Sequence, residues 1–380
     1  MRIRTVAGVA AGVGSALVMA PGLYLAQRLH REGFDPSLDR QPDPLDLQVT
    51  SVSDQTVTLR TAAKAPATAP TAPGTYLVEG ARGWGYAGRV IESNAILAVR
   101  EFRPGGGDLR AGDYARLDGF AFPGDPFQAH GYAFEDVQFE SPLGAFDAWY
   151  VPGANRTWAI LVHGKGASRR EALRILPALL DAGFHCLAIT YRNDADQPAA
   201  PRGQYSYGRD EWEDLDAAIA YALGHGANDV VLVGFSMGGA VALGAMAKSS
   251  HAARVSALIL DSPMTNLTET VAHGARQAHL PVPFLAFSNR LAARMYRFRW
   301  ADFDYTETVQ KLDVPVLLFH GDVDETIPVE LSDRVAELRP DIVTYVRVPG
   351  AAHVRSWNVD PEAYLSAVRE FVTTRRPVSS

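Results

Sequence analysis

A chain of 380 residues with 47% hydrophobic content can hold one large domain or two moderate ones and can fill a core, which excludes disorder as its main state. The formal net charge of -7 comes from 43 acidic and 36 basic residues mixed along the sequence. No basic run is present that could follow a phosphate backbone, so nucleic acid is excluded as an expected partner. The single cysteine, Cys186, excludes an intrachain disulfide.

The chain opens with an export or anchoring signal. Arg2 and Arg4 precede an uncharged apolar stretch from Thr5 to Gln27, about long enough to cross a bilayer as a helix. Pro21 directly follows Met19-Ala20, the spot most like a cleavage site, which favours an uncleaved anchor over a cleaved signal peptide. Arg28 and Arg31 nearly balance the two arginines ahead of the stretch, and the free amino terminus adds a small bias. The body is therefore expected outside the cytoplasm, held by a single-pass anchor, with secretion as the alternative.

From Leu45 to Arg60 polar and β-branched residues alternate with period two, the pattern of a half-buried strand or hairpin. Ala62 to Pro73, rich in Ala, Pro and Thr, reads as an exposed loop or linker. Further short strands are expected at Thr75 to Glu79, Gly88 to Ile91 and Ala95 to Phe102, punctuated by Gly83, Gly85 and Gly105-Gly106-Gly107. Residues 45–130 thus form a β-rich accessory region that carries no chemistry-bearing motif.

After His130 strands alternate with helices, the signal for a mostly parallel sheet covered on both faces. A hairpin over Tyr132 to Glu140 and Ala145 to Val151 is followed by the apolar strand Trp158 to Val162, a helix from Arg169 to Ala182, and the strand His185 to Thr190, where Cys186 reads as an inert core thiol. A helix from Arg209 to Leu223, the strand Asp229 to Gly234 and a helix beginning after Ser236 come next. Ala257 to Leu260, Val314 to Phe319 and Val343 to Val348 complete about eight strands, and an amphipathic helix from Pro361 to Thr373 closes the chain. Between Asp261 and Lys311 lie about fifty residues, longer than an ordinary connection and so expected to be partly helical, as a small cap. Its aromatic residues, including Phe284, Phe287, Tyr296, Phe298 and Trp300, would either face the nucleophile or pack on the core.

Gly234-Phe235-Ser236-Met237-Gly238 has the G-x-S-x-G spacing of a nucleophile elbow and stands between a buried strand and a small-residue helix. The spacing has a steric cause. A serine raised on a tight strand-to-helix turn needs neighbours without side chains two residues either side. Serine is a weak nucleophile and needs a base. Two later loops at strand ends offer one with its partner: His320-Gly321-Asp322-Val323-Asp324, and the stretch after Val348 that carries His353.

On these motifs, residues 131–376 resemble the α/β-hydrolase superfamily, in particular its membrane-associated acyl hydrolases and the related serine aminopeptidase-like group. The resemblance implies Ser236 as nucleophile, His353 as general base and Asp324, the last residue of a G-x-x-D motif, as the acid that orients it, with Asp322 as the alternative acid. It also implies an oxyanion hole from the backbone N–H groups of Lys165 and Met237, in the turn His163-Gly164-Lys165-Gly166 and just past the serine. The Lys165 side chain is expected to face solvent. His163 is expected to be a structural hydrogen bonder, His320 to shape its loop, and His273 and His279 to lie at the surface or on a lid. The expected fold is a mostly parallel sheet of about eight strands with a cap at about 262–311, and the expected reaction is hydrolysis of a carboxylic ester or thioester, with a lipid-like substrate suggested by the anchor. A serine peptidase or a non-catalytic scaffold is the alternative. Dehalogenase and epoxide-hydrolase chemistry would need a carboxylate where Ser236 stands. No dinucleotide fingerprint, phosphate loop or metal-ligand cluster is legible, and no cofactor is expected.

Overall fold

The protein is described here by a computed structural model that covers residues 22–39, 44–62 and 68–374. Six strands come first: β1 (Leu47–Val52), β2 (Thr56–Thr61), β3 (Tyr76–Gly80), β4 (Gly83–Ser93), β5 (Leu97–Gly107) and β6 (Tyr114–Asp118). They pair antiparallel in the order β1-β2-β5-β4-β3-β6, and β6 returns to β1 to close a barrel. Closure leaves no open edge and gives the alternating side chains an inside to fill: Leu47, Val49, Val57, Leu59, Val78 and Ala115 are all fully buried. The three consecutive glycines that read as punctuation belong instead to β5. The Trp84 indole lies across the first two, and a Cβ at Gly105 would come within 1.9 Å of its ring.

One charged residue sits among these apolar groups. Arg100 is fully buried, and its guanidinium donates to the carbonyls of Pro70, Ala72, Gly74 and Gly88. Burial pushes it down to about 10. It pins residues 70–74 to the barrel, so this half of the expected linker is a built loop.

The second unit is an eight-stranded sheet formed by β7 (Glu135–Ser141), β8 (Gly144–Val151), β9 (Thr157–Val162), β10 (His185–Ile189), β11 (Asp229–Phe235), β12 (Val255–Asp261), β13 (Val316–Gly321) and β14 (Val343–Val348). The spatial order is β14-β13-β12-β11-β9-β10-β8-β7. The run from β14 to β10 is parallel, and the β7–β8 hairpin adds an antiparallel edge. Every residue of β9, β11, β12 and β13 is buried, as their continuous apolar runs require of strands covered on both faces. One face packs on the Trp212–Gly224 and Met237–Lys248 helices through Leu215, Ile219 and Val241; the other packs on Leu176, Leu179, Val368 and Phe371.

One expectation changes. The helix predicted over 169–182 is a 3-10 turn, Arg169–Arg174, followed by a short α-helix, Leu176–Asp181. Pro177 has no N–H to give the preceding turn, so it suits the start of a new helix and the two pieces part at Ile175. The predicted membrane span falls mostly outside the described residues, but its last part does not. Residues 22–29 are helical and run into a π turn at His30–Phe34 that lies on the hydrolase unit, with Ala26 and Phe34 buried. Among the described residues no helix is long and apolar enough to cross a membrane. Of the two placements expected for the aromatic residues of the 262–311 segment, Tyr296, Phe298 and Phe303 take the packed one, against the core and this N-terminal turn: His30 stacks on Tyr296 at 3.8 Å between ring centres, and Phe34 meets Phe298 and Phe303.

Candidate active site

Ser236 occupies the sharp turn between β11 and the Met237–Lys248 helix, with φ 51° and ψ −115°. A non-glycine residue there is strained, and the surroundings hold it in place. A Cβ at Gly234 would lie 2.6 Å from the Gly238 carbonyl oxygen, and one at Gly238 would lie 2.1 Å from the Val162 carbonyl oxygen of the neighbouring strand. The two glycines of the motif are therefore demanded by the approach of helix to strand.

His353 reaches the serine from the loop after β14, with its Nε2 2.8 Å from Ser236 Oγ. Its Nδ1 is 2.7 Å from Asp324 Oδ2. A carboxylate at Nδ1 requires the ring proton there, which leaves the Nε2 lone pair facing the hydroxyl. Asp324 is itself held: Oδ1 accepts the N–H groups of Thr326 and Ile327, each at 2.8 Å, and Oδ2 lies 3.1 Å from His320 Nε2. Burial alone would raise this carboxyl, but the hydrogen bonds from His320 and His353 outweigh it and hold Asp324 well below the usual carboxylate range. Asp322 does not join this chain of contacts. It is exposed and accepts the Gly350 N–H at 2.7 Å, tying its loop to the histidine loop.

His320 is fully buried and also bonds Ser332 Oγ at 2.7 Å, so it shapes the loop from within. His163 is buried between Asp194 at 2.9 Å and the Gly164 carbonyl at 2.9 Å. Burial would lower it, but the Asp194 carboxylate more than offsets that and raises it. His273 and His279 lie on the 262–311 segment, away from the serine cleft.

Gly166, at φ +66°, lets the turn after β9 fold inward toward the serine. Among the described residues, neither the Lys165 N–H nor the Met237 N–H has a hydrogen-bond acceptor, and both stand next to the cleft that holds Ser236. The Lys165 side chain differs from expectation. It is not free in solvent but pairs with Asp39 of the N-terminal segment at 2.8 Å.

Two residues that the sequence reading passed over brace this turn from behind. Glu171, 4% exposed, accepts the Gly164 N–H at 2.7 Å and pairs with Arg174, 1% exposed, at 3.2 Å. Arg174 also donates to the carbonyl of Val354, the residue after His353, at 2.8 Å, and to Asn358 Oδ1 at 3.2 Å. The turn after β9 and the histidine loop are thus tied through one buried ion pair. The available signal was a lone charge, Arg174, inside the otherwise apolar stretch Ala172 to Leu176, with an opposite charge three residues before it at Glu171.

Ser236 and His353 open into a cleft of about 640 Å³. Among the described residues, none that lines it comes from the 262–311 segment. Its outer wall is supplied by the barrel, through Thr68, Ala69, Ala72 and Tyr76, and by Phe120. Asn358, fully buried next to the histidine loop, fixes that wall by donating to the Thr75 and Gly119 carbonyls at 2.7 and 3.0 Å.

The alpha/beta hydrolase family matches this chain over residues 159–367. Among curated proteins, the uncharacterized protein Rv2307c of Mycobacterium tuberculosis is 28% identical over 254 residues, covering 63% of this chain and 80% of its own length. The human protein ABHD12B is 26% identical over 208 residues, covering 52% of this chain and 55% of its own length. Among solved structures, the Pyrococcus furiosus esterase Pf2001 superimposes with a TM-score of 0.52 at 22% identity, over 67% of this chain and 97% of that one. The barrel lies outside the family match. From β9 to the last helix, with a serine on the elbow and a mostly parallel sheet behind it, this chain belongs to the alpha/beta hydrolase family.

Proposed function

We propose that this protein is a serine hydrolase that cleaves a carboxylic ester or thioester through an acyl-enzyme on Ser236. The observation that carries the reading is the unbroken chain of contacts from Ser236 Oγ through His353 to Asp324, at 2.8 and 2.7 Å. Ser236 Oγ attacks the carbonyl carbon as its proton passes to His353 Nε2. Negative charge on the former carbonyl oxygen is met by the free N–H groups of Lys165 and Met237. Collapse breaks the bond to the alcohol or thiol, which leaves with the proton from His353. A water then attacks the acyl-enzyme while His353 takes its proton, the acid departs, and Ser236 regains its hydrogen. Asp324 stays ionised throughout, steadying the imidazolium.

A closed six-stranded barrel in place of radial propeller blades supports an esterase over a peptidase of this fold. For the chain as a whole we propose that the N-terminal apolar stretch, residues 5–27, is a membrane anchor and that the catalytic unit lies outside the cytoplasm. The test is labelling of the full chain, in neutral detergent, with a fluorophosphonate probe beside Ser236→Ala, followed by p-nitrophenyl esters of graded chain length. Labelling and ester turnover that both vanish in the variant are expected; a folded wild type that neither labels nor turns over would sink the proposal.

A further inference from the structure

Three arginines converge behind and beside the cleft, and they differ in how their donors are used. Arg100 and Arg174 are buried and saturated by carbonyls and, for Arg174, by Glu171. Arg355 is not. It lies two residues past His353 and lines the same cleft as Ser236. Among the described residues its guanidinium makes one hydrogen bond, from Nη1 to the adjacent Val354 carbonyl at 3.2 Å, and no carboxylate lies within ion-pair distance of it. Its place is nonetheless built. The guanidinium rests on the backbone of Gly119, where a Cβ would come within 2.1 Å of Cζ and 2.4 Å of Nη2.

The acidic groups nearby are committed elsewhere. Asp118 pairs with Arg170 at 2.8 Å, and Glu171 is held by Arg174 and the Gly164 N–H. Lys165, the other cation of the cleft, is neutralised by Asp39. Glu325 also lines the cleft but is exposed at its rim, where hydration screens it. Burial, and then the neighbouring Arg174, lower the Arg355 guanidinium, and the smaller opposing effects of Tyr76, Glu171 and Asp118 do not make up the difference. A guanidinium with unfilled donors in a partly dry cleft is costly to keep, and an anion that fills them recovers that cost with charge-assisted, often bidentate bonds. Tyr76 lines the same wall, and its burial keeps the phenol protonated as a second donor.

We propose that Arg355 is an anion-binding residue of the substrate cleft, so that the ester attacked by Ser236 carries a carboxylate or phosphate group. The proposal rests on the serine-hydrolase reading and narrows it to a substrate class. A phosphate or carboxylate matches the planar fork of arginine, whereas a neutral ester leaves it empty.

The test uses the full chain in neutral detergent with two matched pairs of esters. 1-Butyrylglycerol against 1-butyrylglycerol 3-phosphate places the anion on the leaving side; p-nitrophenyl hexanoate against mono-p-nitrophenyl adipate places it on the acyl side. The wild type should favour the anionic member of at least one pair in kcat/KM. Arg355→Gln should lower that anionic-to-neutral ratio by about ten- to a hundredfold, and Arg355→Lys by less. An unchanged ratio in Arg355→Gln, or no anionic preference in either pair, overturns the proposal. Fluorophosphonate labelling separates the two levels: a wild type that labels and hydrolyses neutral esters but shows no such preference refutes the anion site alone, while one that does not label refutes the hydrolase reading and the anion site with it. Should Arg355→Gln fail to fold, the wild type decides: inorganic phosphate or adipate should slow labelling of Ser236 where chloride at matched ionic strength does not, and equal rates overturn the proposal.

Discussion

Replacing Arg174 with methionine removes a charge from the centre of the brace between the turn after β9 and the histidine loop while keeping most of the stem. Arg174 and Glu171 are 1% and 4% exposed, so water does not rescue the partner left behind. Breaking a buried ion pair from one side costs about 3–5 kcal/mol. The Val354 carbonyl and Asn358 Oδ1 lose their donor as well, at roughly 1 kcal/mol each. A loss of about 4 kcal/mol or more is expected, a large part of the ~5–15 kcal/mol that holds a typical domain together. Glu171→Gln in the same chain removes the stranded charge and keeps an amide oxygen for the Gly164 N–H. The double variant should therefore be more stable than Arg174→Met alone by about 1–2 kcal/mol, a departure from additivity that marks direct coupling. Urea unfolding followed by the fluorescence of the six tryptophans measures all three variants. An Arg174→Met protein within about 1 kcal/mol of wild type, or a double variant whose loss is the sum of the two single losses, would refute the reasoning.

Gly238→Ala forces a Cβ to within 2.1 Å of the Val162 carbonyl oxygen, so the Met237–Lys248 helix must move off the sheet; a loss of about 3 kcal/mol is expected, read as a fall in the thermal midpoint, and an unshifted midpoint would contradict it. Asp324→Asn should lower kcat by about 10³–10⁴-fold, because the amide no longer enforces the His353 tautomer. Its stability effect has a fixed sign: a carboxyl depressed in the folded state stabilises above its unfolded value and loses that contribution as pH falls toward the folded one, so the gap between wild type and variant should be full near neutrality and close progressively below about pH 4. A gap that widens in acid would mean that burial, not hydrogen bonding, dominates the group. Asn358→Ala leaves the Thr75 carbonyl without its side-chain donor and the Gly119 carbonyl with only the longer bond from Arg174 Nη1 at 3.4 Å; it should cost about 2–3 kcal/mol, with faster amide exchange in β3, and unchanged exchange would show that the barrel wall is held by other contacts.

Much of the hydrolase unit was legible because its signals are local. Continuous apolar runs such as Val230 to Val233 have one good use, a strand covered on both faces, and glycines two residues either side of Ser236 have a steric reason visible from the spacing alone. The helix from Arg169 was legible as a helix but not as a broken one, since the effect of Pro177 depends on how the preceding turn is wound. The choice between Asp324 and Asp322 needed the loop itself, for two carboxylates two residues apart differ only in which way the turn points them.

Sequence by itself determined the elements, the nucleophile elbow and the order of the candidate serine, acid and histidine, because each is written in a short stretch with its own periodicity or steric demand. Tertiary structure alone decided what surrounds them. The closing of six strands into a barrel, the barrel loop that walls the cleft, the N-terminal helix laid against the 262–311 segment, and the pairings Glu171 with Arg174 and Lys165 with Asp39 all join residues far apart in the chain or hidden in apolar runs. Such contacts depend on which surfaces meet once the sheet and the barrel have formed, and an accessory region without a motif of its own acquires a role only from the neighbour it is packed against.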